Sequence, residues 1–139
     1  MSKKLLVIDG QGGKMGKSIV EALKTAFPDQ QITAIGTNSI ATSTMLKAGA
    51  DMGATGENPV IYNSRDADII VGPIGIILAN SLLGEVTPQM AAAVSGSQAY
   101  KILIPSNKCN SCLVGTQELS LGEYVNLVVE KVSELLSSS

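Results

Sequence analysis

The chain has 139 residues, a net charge of −2, a sequence pI of about 5.0, 45% hydrophobic residues and 3% aromatic ones, with no Trp and no His. That length fits one domain, residues 1–139, and leaves no room for a separate substrate domain. The composition argues against disorder and against a basic footprint for duplex nucleic acid; it excludes His-ligated metals and His-dependent catalysis, and it offers no aromatic platform for sugars or single-stranded nucleic acid.

With Phe27 as the single Phe, the core must be built from Val, Ile, Leu, Met and Ala, a diet that suits helices packed on a parallel sheet. Lys3-Lys4 followed by Leu5 to Ile8 looks like the start of a signal peptide, but the apolar run stops at Asp9-Gly10, too short for a hydrophobic region of that kind. Lys4 to Asp9 instead reads as a buried strand. From Lys14 the period changes to that of a helix: Met15, Ile19, Ala22, Leu23 and Ala26 share one face, and Pro28 follows its end. Gln31 to Ile35 is a second strand, closed by Gly36.

Ile40 to Ala48 reads as a helix with Gly49 as its terminating residue. Gly53 to Asn58 is expected to be a loop, Val60-Ile61-Tyr62 a short strand, and Ala67 to Val71 another strand ending at Gly72-Pro73. Ile74 to Leu83 reads as a buried helix. The stretch Ile69 to Leu83 is apolar, but Gly72, Pro73, Gly75, Asn80 and Ser81 interrupt it, and it falls short of the roughly 20 residues of a membrane span. No membrane or nucleic-acid partner is expected, and the chain reads as cytoplasmic. Thr87-Pro88 opens a further helix, with Thr87 as N-cap and Pro88 in the first helical position. Tyr100 to Ile104 is a strand stopped by Pro105. Ser120-Leu121-Gly122-Glu123 is a capping box; Leu121, Val125, Val128, Val132 and Leu135 then mark a helix face, and Ser137 to Ser139 a frayed tail.

Strands alternating with helices imply an α/β, three-layer Rossmann-like fold with a mainly parallel sheet. Ligands of such sheets bind beyond the carboxyl ends of the strands, where strand order reverses. The loops to inspect are therefore Gly10 to Gly16, Gly36 to Ser39, Gly72 to Gly75 and Pro105 to Lys108.

Gly10, Gln11, Gly12, Gly13, Lys14, Met15 and Gly16 lie between a strand and a helix, the context of a phosphate loop. Glycine lets the backbone approach a phosphate, and the helix start offers unpaired N–H groups. The spacing Gly10-x-Gly12-x-x-x-Gly16 is one residue longer than the usual dinucleotide fingerprint. Lys14 and Lys17 near the helix start oppose its dipole by about 0.3–1 kcal/mol each, a cost that a bound anion would reverse. Gly36-Thr37-Asn38 stands where an acid would hold a ribose, and Thr37, Asn38 or Ser39 could bond a ribose or a 2′-phosphate or cap the next helix. Gly72 and Gly75 would complete the crevice, or merely form a turn.

Gly16-Lys17-Ser18 resembles the ending of a P-loop, but Gln11 stands where the first glycine of that motif belongs. Asp9 could serve as an acid or base, or could shape the turn. Asp51, Glu57 and Asp68 show no recognisable pairing. The hydroxyl run Thr42-Ser43-Thr44 points to close packing on the sheet or to a nearby ligand. Cys109-x-x-Cys112 has no second pair in the chain, so incidental thiols are favoured over a redox or zinc site, and no metal site is assigned. The apolar surplus of Ile69 to Leu83 and Met90 to Val94 suggests a homodimer or larger assembly.

Val7 to Gly13, Gly36-Thr37-Asn38, Met45 to Ala50, Gly53 to Asn58 and Gly72 to Gly75 together resemble a family of small bacterial proteins of unknown function. The resemblance runs from Lys4 to about Gly115 and implies a cytoplasmic protein with no assigned activity. The leading expectation is a module that binds a nucleotide or other phosphate-bearing small molecule, NAD(P) among them. A P-loop-like phosphotransferase using Lys17 and Ser18, a small reductase using Asp9, and a structural subunit are the alternatives.

Overall fold

The structure, a computed structural model, describes residues 2–106 and 110–138. Five strands form one sheet: β1 (Leu5–Asp9), β2 (Ile32–Gly36), β3 (Met52–Thr55), β4 (Ile69–Pro73) and β5 (Tyr100–Ile104). Their spatial order is β3-β2-β1-β4-β5, and every neighbouring pair is parallel. This is the Rossmann order, and the strand sequence reverses between β1 and β4.

Alternation along the buried strands sorts side chains to two faces. Leu5 and Val7 of β1 meet Ile19, Val20 and Leu23 of α1 (Lys14–Ala26), Ala41 and Met45 of α2 (Ser39–Lys47), and Val125, Val128 and Val132 of α5 (Leu121–Ser137). Leu6 and Ile8 meet Val60 of α3 (Glu57–Ser64) and Met90, Ala91 and Val94 of α4 (Pro88–Ser95). The sheet is thus covered on both sides, and its three central strands are largely apolar and nearly all buried because neither face meets water.

The capping signals act as read. Asn38 accepts from Ala41 N, Thr87 from Met90 N and Ser120 from Glu123 N. Gly49 follows α2 with a φ of 121°, a region that favours glycine. The closing helix runs through Ser137, so that serine belongs to it rather than to a tail.

Three stretches differ from the sequence reading. Gly53 to Asn58, expected as a loop, instead supplies most of the edge strand β3, which pairs Gly53 with Ala34 and Ala54 with Ile35, and the start of α3 at Glu57. An edge strand needs no apolar alternation, and Gly53 lacks a side chain where Leu46 presses on it. Val60-Ile61-Tyr62, expected as a strand, lies in α3: Val60 and Ser64 bury one side at i, i+4, while Tyr62 is exposed. Ile74 to Leu83, expected as a helix, is one 3₁₀ turn (Ile74–Ile77) followed by a folded strap. The Ser81 hydroxyl donates to the Gly75 carbonyl and turns the chain back, and Asn80, Leu82 and Leu83 all adopt positive φ.

The apolar surplus lies largely inside the chain. Ile69, Ile70, Val71, Ile76, Met90, Ala91 and Val94 are all buried in its own core.

Candidate functional site

The carboxyl ends of all five parallel strands share one edge of the sheet, and the glycine-rich loop after the central β1 lies there. β1 delivers Asp9 there, and the residue is buried. Its two oxygens accept from Gly10 N at 2.8 Å and from Gly16 N at 2.6 Å, so one carboxylate fastens both ends of the loop. Burial pushes its pKa up, the two N–H donors pull it down, and the nearby Glu85 charge pushes it up again; the net direction is upward. Asp9 therefore shapes the turn.

Between those anchors the backbone turns sharply. Gly13 N donates to Gly10 O at 2.9 Å, and Gln11 sits at a φ of 50°. Gly13, at a φ of 76°, caps α1 without any side-chain acceptor. A side chain at Gly13 would lie 2.8 Å from Ala41 Cα, and one at Gly16 would lie 2.5 Å from Met45 Sδ. Those glycines let α2 press against the start of α1. Gly12 differs, because a Cβ there would meet nothing within 4 Å. Among the described residues, no acceptor meets the N–H groups of Gly12, Lys14 or Met15. Lys14 and Lys17 are exposed.

Lys17 and Ser18 offer this opening neither an N–H nor a hydroxyl. Lys17 N already bonds Gly13 O, one turn into the helix, and Ser18 faces a groove shared with Gly122 and Val125 of α5. Gly72 and Gly75 are buried as well. A Cβ on Gly72 would lie 2.3 Å from Ile8 O, and Gly75 is covered by Ser81. Both serve packing and do not line the crevice.

Thr37 and Asn38 converge on the loop through a residue that has no motif around it. Glu85 Oε1 accepts from Gln11 N at 2.8 Å, Thr37 Oγ1 at 2.6 Å and Asn38 Nδ2 at 2.9 Å. Burial raises the Glu85 pKa, but its three donors outweigh that and hold the carboxyl below its usual range. Asn38 also caps α2 and donates to Gln11 O. Leu82, on the same strap, lies against Gly10.

On the other side of the strap, a cleft of about 1050 Å³ opens over the ends of β4 and β5. Met15, Ile74, Ile77, Leu78, Leu121 and Tyr124 supply its apolar walls, and Cys112 stands exposed at its rim. Asn107, Lys108 and Cys109 lie outside the described residues, and with them the Cys109-x-x-Cys112 reading and the end of the Pro105 loop. Among the described residues, no cluster of three or more His, Cys, Asp or Glu could hold a metal, and no helix is long and apolar enough to cross a membrane.

The model of the family described as "Domain of unknown function (DUF3842)" matches residues 4–137. No curated protein matches the sequence. Among solved structures, the chain is similar to the dodecameric FMN-dependent UbiX-like decarboxylase from Escherichia coli O157:H7. The identity is 16% over 93% of this chain and 76% of that one, with a TM-score of 0.46.

Proposed function

We propose that this chain, which belongs to the DUF3842 family of unknown function, binds a phosphate-bearing small molecule of the nucleotide class at the start of α1. The observation that supports this is that the N–H groups of Gly12, Lys14 and Met15 meet no acceptor among the described residues, beside a glycine with vacant space over it. They lie where strand order reverses, the usual ligand position in such sheets. The helix dipole favours an anion there, and the exposed Lys14 and Lys17 add positive charge. The phosphate oxygens accept from the three N–H groups, and the apolar cleft takes the rest of the ligand. The role is that of a binding or sensing module in the cytoplasm.

The test compares the wild-type chain with Gly12→Ala in thermal unfolding against phosphate, pyrophosphate, mononucleotides and dinucleotides. A ligand at 100 times its Kd stabilises a fold by about 2.7 kcal/mol. The added methyl meets no protein atom, so Gly12→Ala is expected to keep the apo stability within about 0.5 kcal/mol. It should lose the ligand-induced shift, because the methyl stands where the phosphate approaches. No shift for the wild type with any of these compounds would overturn the proposal.

A further inference from the structure

We infer that the ligand is a phosphomonoester carrying an apolar ring, and that the strap from Leu78 to Val86 closes the half of the crevice a dinucleotide would need. The inference rests on the phosphate reading above and narrows it.

The strap divides the crevice at the reversal point. On the β4 side lie the free N–H groups of Gly12, Lys14 and Met15 and the open cleft walled by Ile74, Ile77, Leu78 and Tyr124. On the β2 side the equivalent ground is taken. A dinucleotide carries its second nucleoside past the loop toward the end of β2, where its ribose binds. In this chain Glu85 occupies that route, holding the Gln11 N–H and the polar groups of Thr37 and Asn38 on a single oxygen. Leu82 fills the space over Gly10 so closely that a Cβ there would come within 2.8 Å of it. Asn38 Oδ1 is already committed to Ala41 N. A second nucleoside would therefore meet side chains of the strap where its ribose belongs, with the donors of Thr37 and Asn38 already spent on Glu85.

The strap is a built element rather than a loose loop. Asn80 N donates to Val86 O at 2.7 Å, and Val86 N donates to Ser81 O at 3.2 Å. Val86 is buried in the core, and the Ser81 hydroxyl reaches back to Gly75 O. These bonds hold Asn80, Leu82 and Leu83 at φ values of 65°, 56° and 57°, a region that Asn tolerates and Leu disfavours. What remains open is a phosphate site with three donors beside an apolar cleft, which is the shape of a monoester with a ring.

The experiment is isothermal titration calorimetry on the full chain with inorganic phosphate, phenyl phosphate, AMP, FMN, NAD⁺ and NADP⁺. It is run on wild type, Glu85→Ala and Leu82→Ala, with urea midpoints confirming that each variant is folded. At least one ring-bearing monoester is expected to bind wild type about 10-fold or more tighter than either dinucleotide, a difference well within calorimetric reach. Either variant should raise dinucleotide affinity about 10-fold while moving that monoester by less than about 3-fold. Dinucleotides binding wild type as tightly as every monoester, or a folded variant whose dinucleotide affinity does not rise, would overturn this inference and leave the phosphate site standing. Binding of none of these compounds, inorganic phosphate included, would overturn both.

Discussion

Two carboxylates at the crevice are held by similar bonds and shifted in opposite directions. Asp9 is buried deeply enough that desolvation outweighs its two N–H donors, whereas the three donors on Glu85 outweigh its lesser burial. Replacing Asp9 by Asn turns one accepting oxygen into an NH₂ that faces an N–H. Asp9→Asn is therefore expected to lose about 1–3 kcal/mol in urea unfolding, the cost of a buried donor left unpaired. The Glu85 charge is one of the causes that raise the Asp9 pKa. Glu85→Gln should accordingly lower the Asp9 pKa in a carboxyl-carbon NMR titration, and an unchanged midpoint would deny the coupling. Asp9, Thr37 and Asn38 were legible in the sequence because each sits at the end of a strand that could be read. Glu85 was not: it lies 74 residues from Gln11, within no motif, just past a stretch whose composition mimics a helix.

At the scale of elements, the legible parts are those where one local signal governs. The strands β1, β2, β4 and β5 and the capped helices α2, α4 and α5 follow from apolar runs and cap residues. The misread parts are those where a tertiary contact decides. β3 is a strand because the end of β2 offers it a partner, and α3 is a helix because Val60 and Ser64 face the core while the β-branched Ile61 between them does not. Thr42 ties these pieces together. Its hydroxyl bonds Gly36 N at 3.1 Å, Ala54 O at 3.2 Å and Thr55 Oγ1 at 2.7 Å, joining α2 to the ends of β2 and β3. The hydroxyl run thus serves attachment to the sheet at this position. Thr42→Val keeps the volume and removes the bonds, leaving Gly36 N without its acceptor. A loss of about 1–3 kcal/mol is expected, together with faster amide exchange in β3 than in β1. Uniform exchange across both strands would count against the latch.

For the whole molecule, the shifted groups set the pH dependence of stability. Asp51 accepts from Ile32 N and pairs with Lys24 Nζ at 3.1 Å; the backbone bond is the main cause of its lowered pKa. A carboxyl with a lowered folded pKa stabilises fully above its unfolded value, 3.8 for Asp51 and 4.5 for Glu85, and that contribution is lost as pH falls through the folded value. Asp9 runs the other way: its contribution is full below 3.8 and is lost as pH rises through its raised folded value. Urea unfolding between about pH 6 and pH 3 should show stability falling toward acid for wild type, less steeply for Asp51→Asn, and more steeply for Asp9→Asn. An Asp51→Asn variant with the wild-type slope would deny that residue its part.

The position of α5 has a further consequence. Val125, Val128 and Val132 seal the face that α1 also covers, alongside Ile19, Val20 and Leu23. A nascent chain halted after Ile104 already holds all five strands and four of the helices, yet leaves part of that face bare. Synthesis proceeds at about 5–20 residues per second, so the gap lasts for seconds on every ribosome. Through that interval the growing polypeptide is an apolar target for a chaperone or for its neighbours on the same message, and its commitment to fold is withheld until α5 emerges.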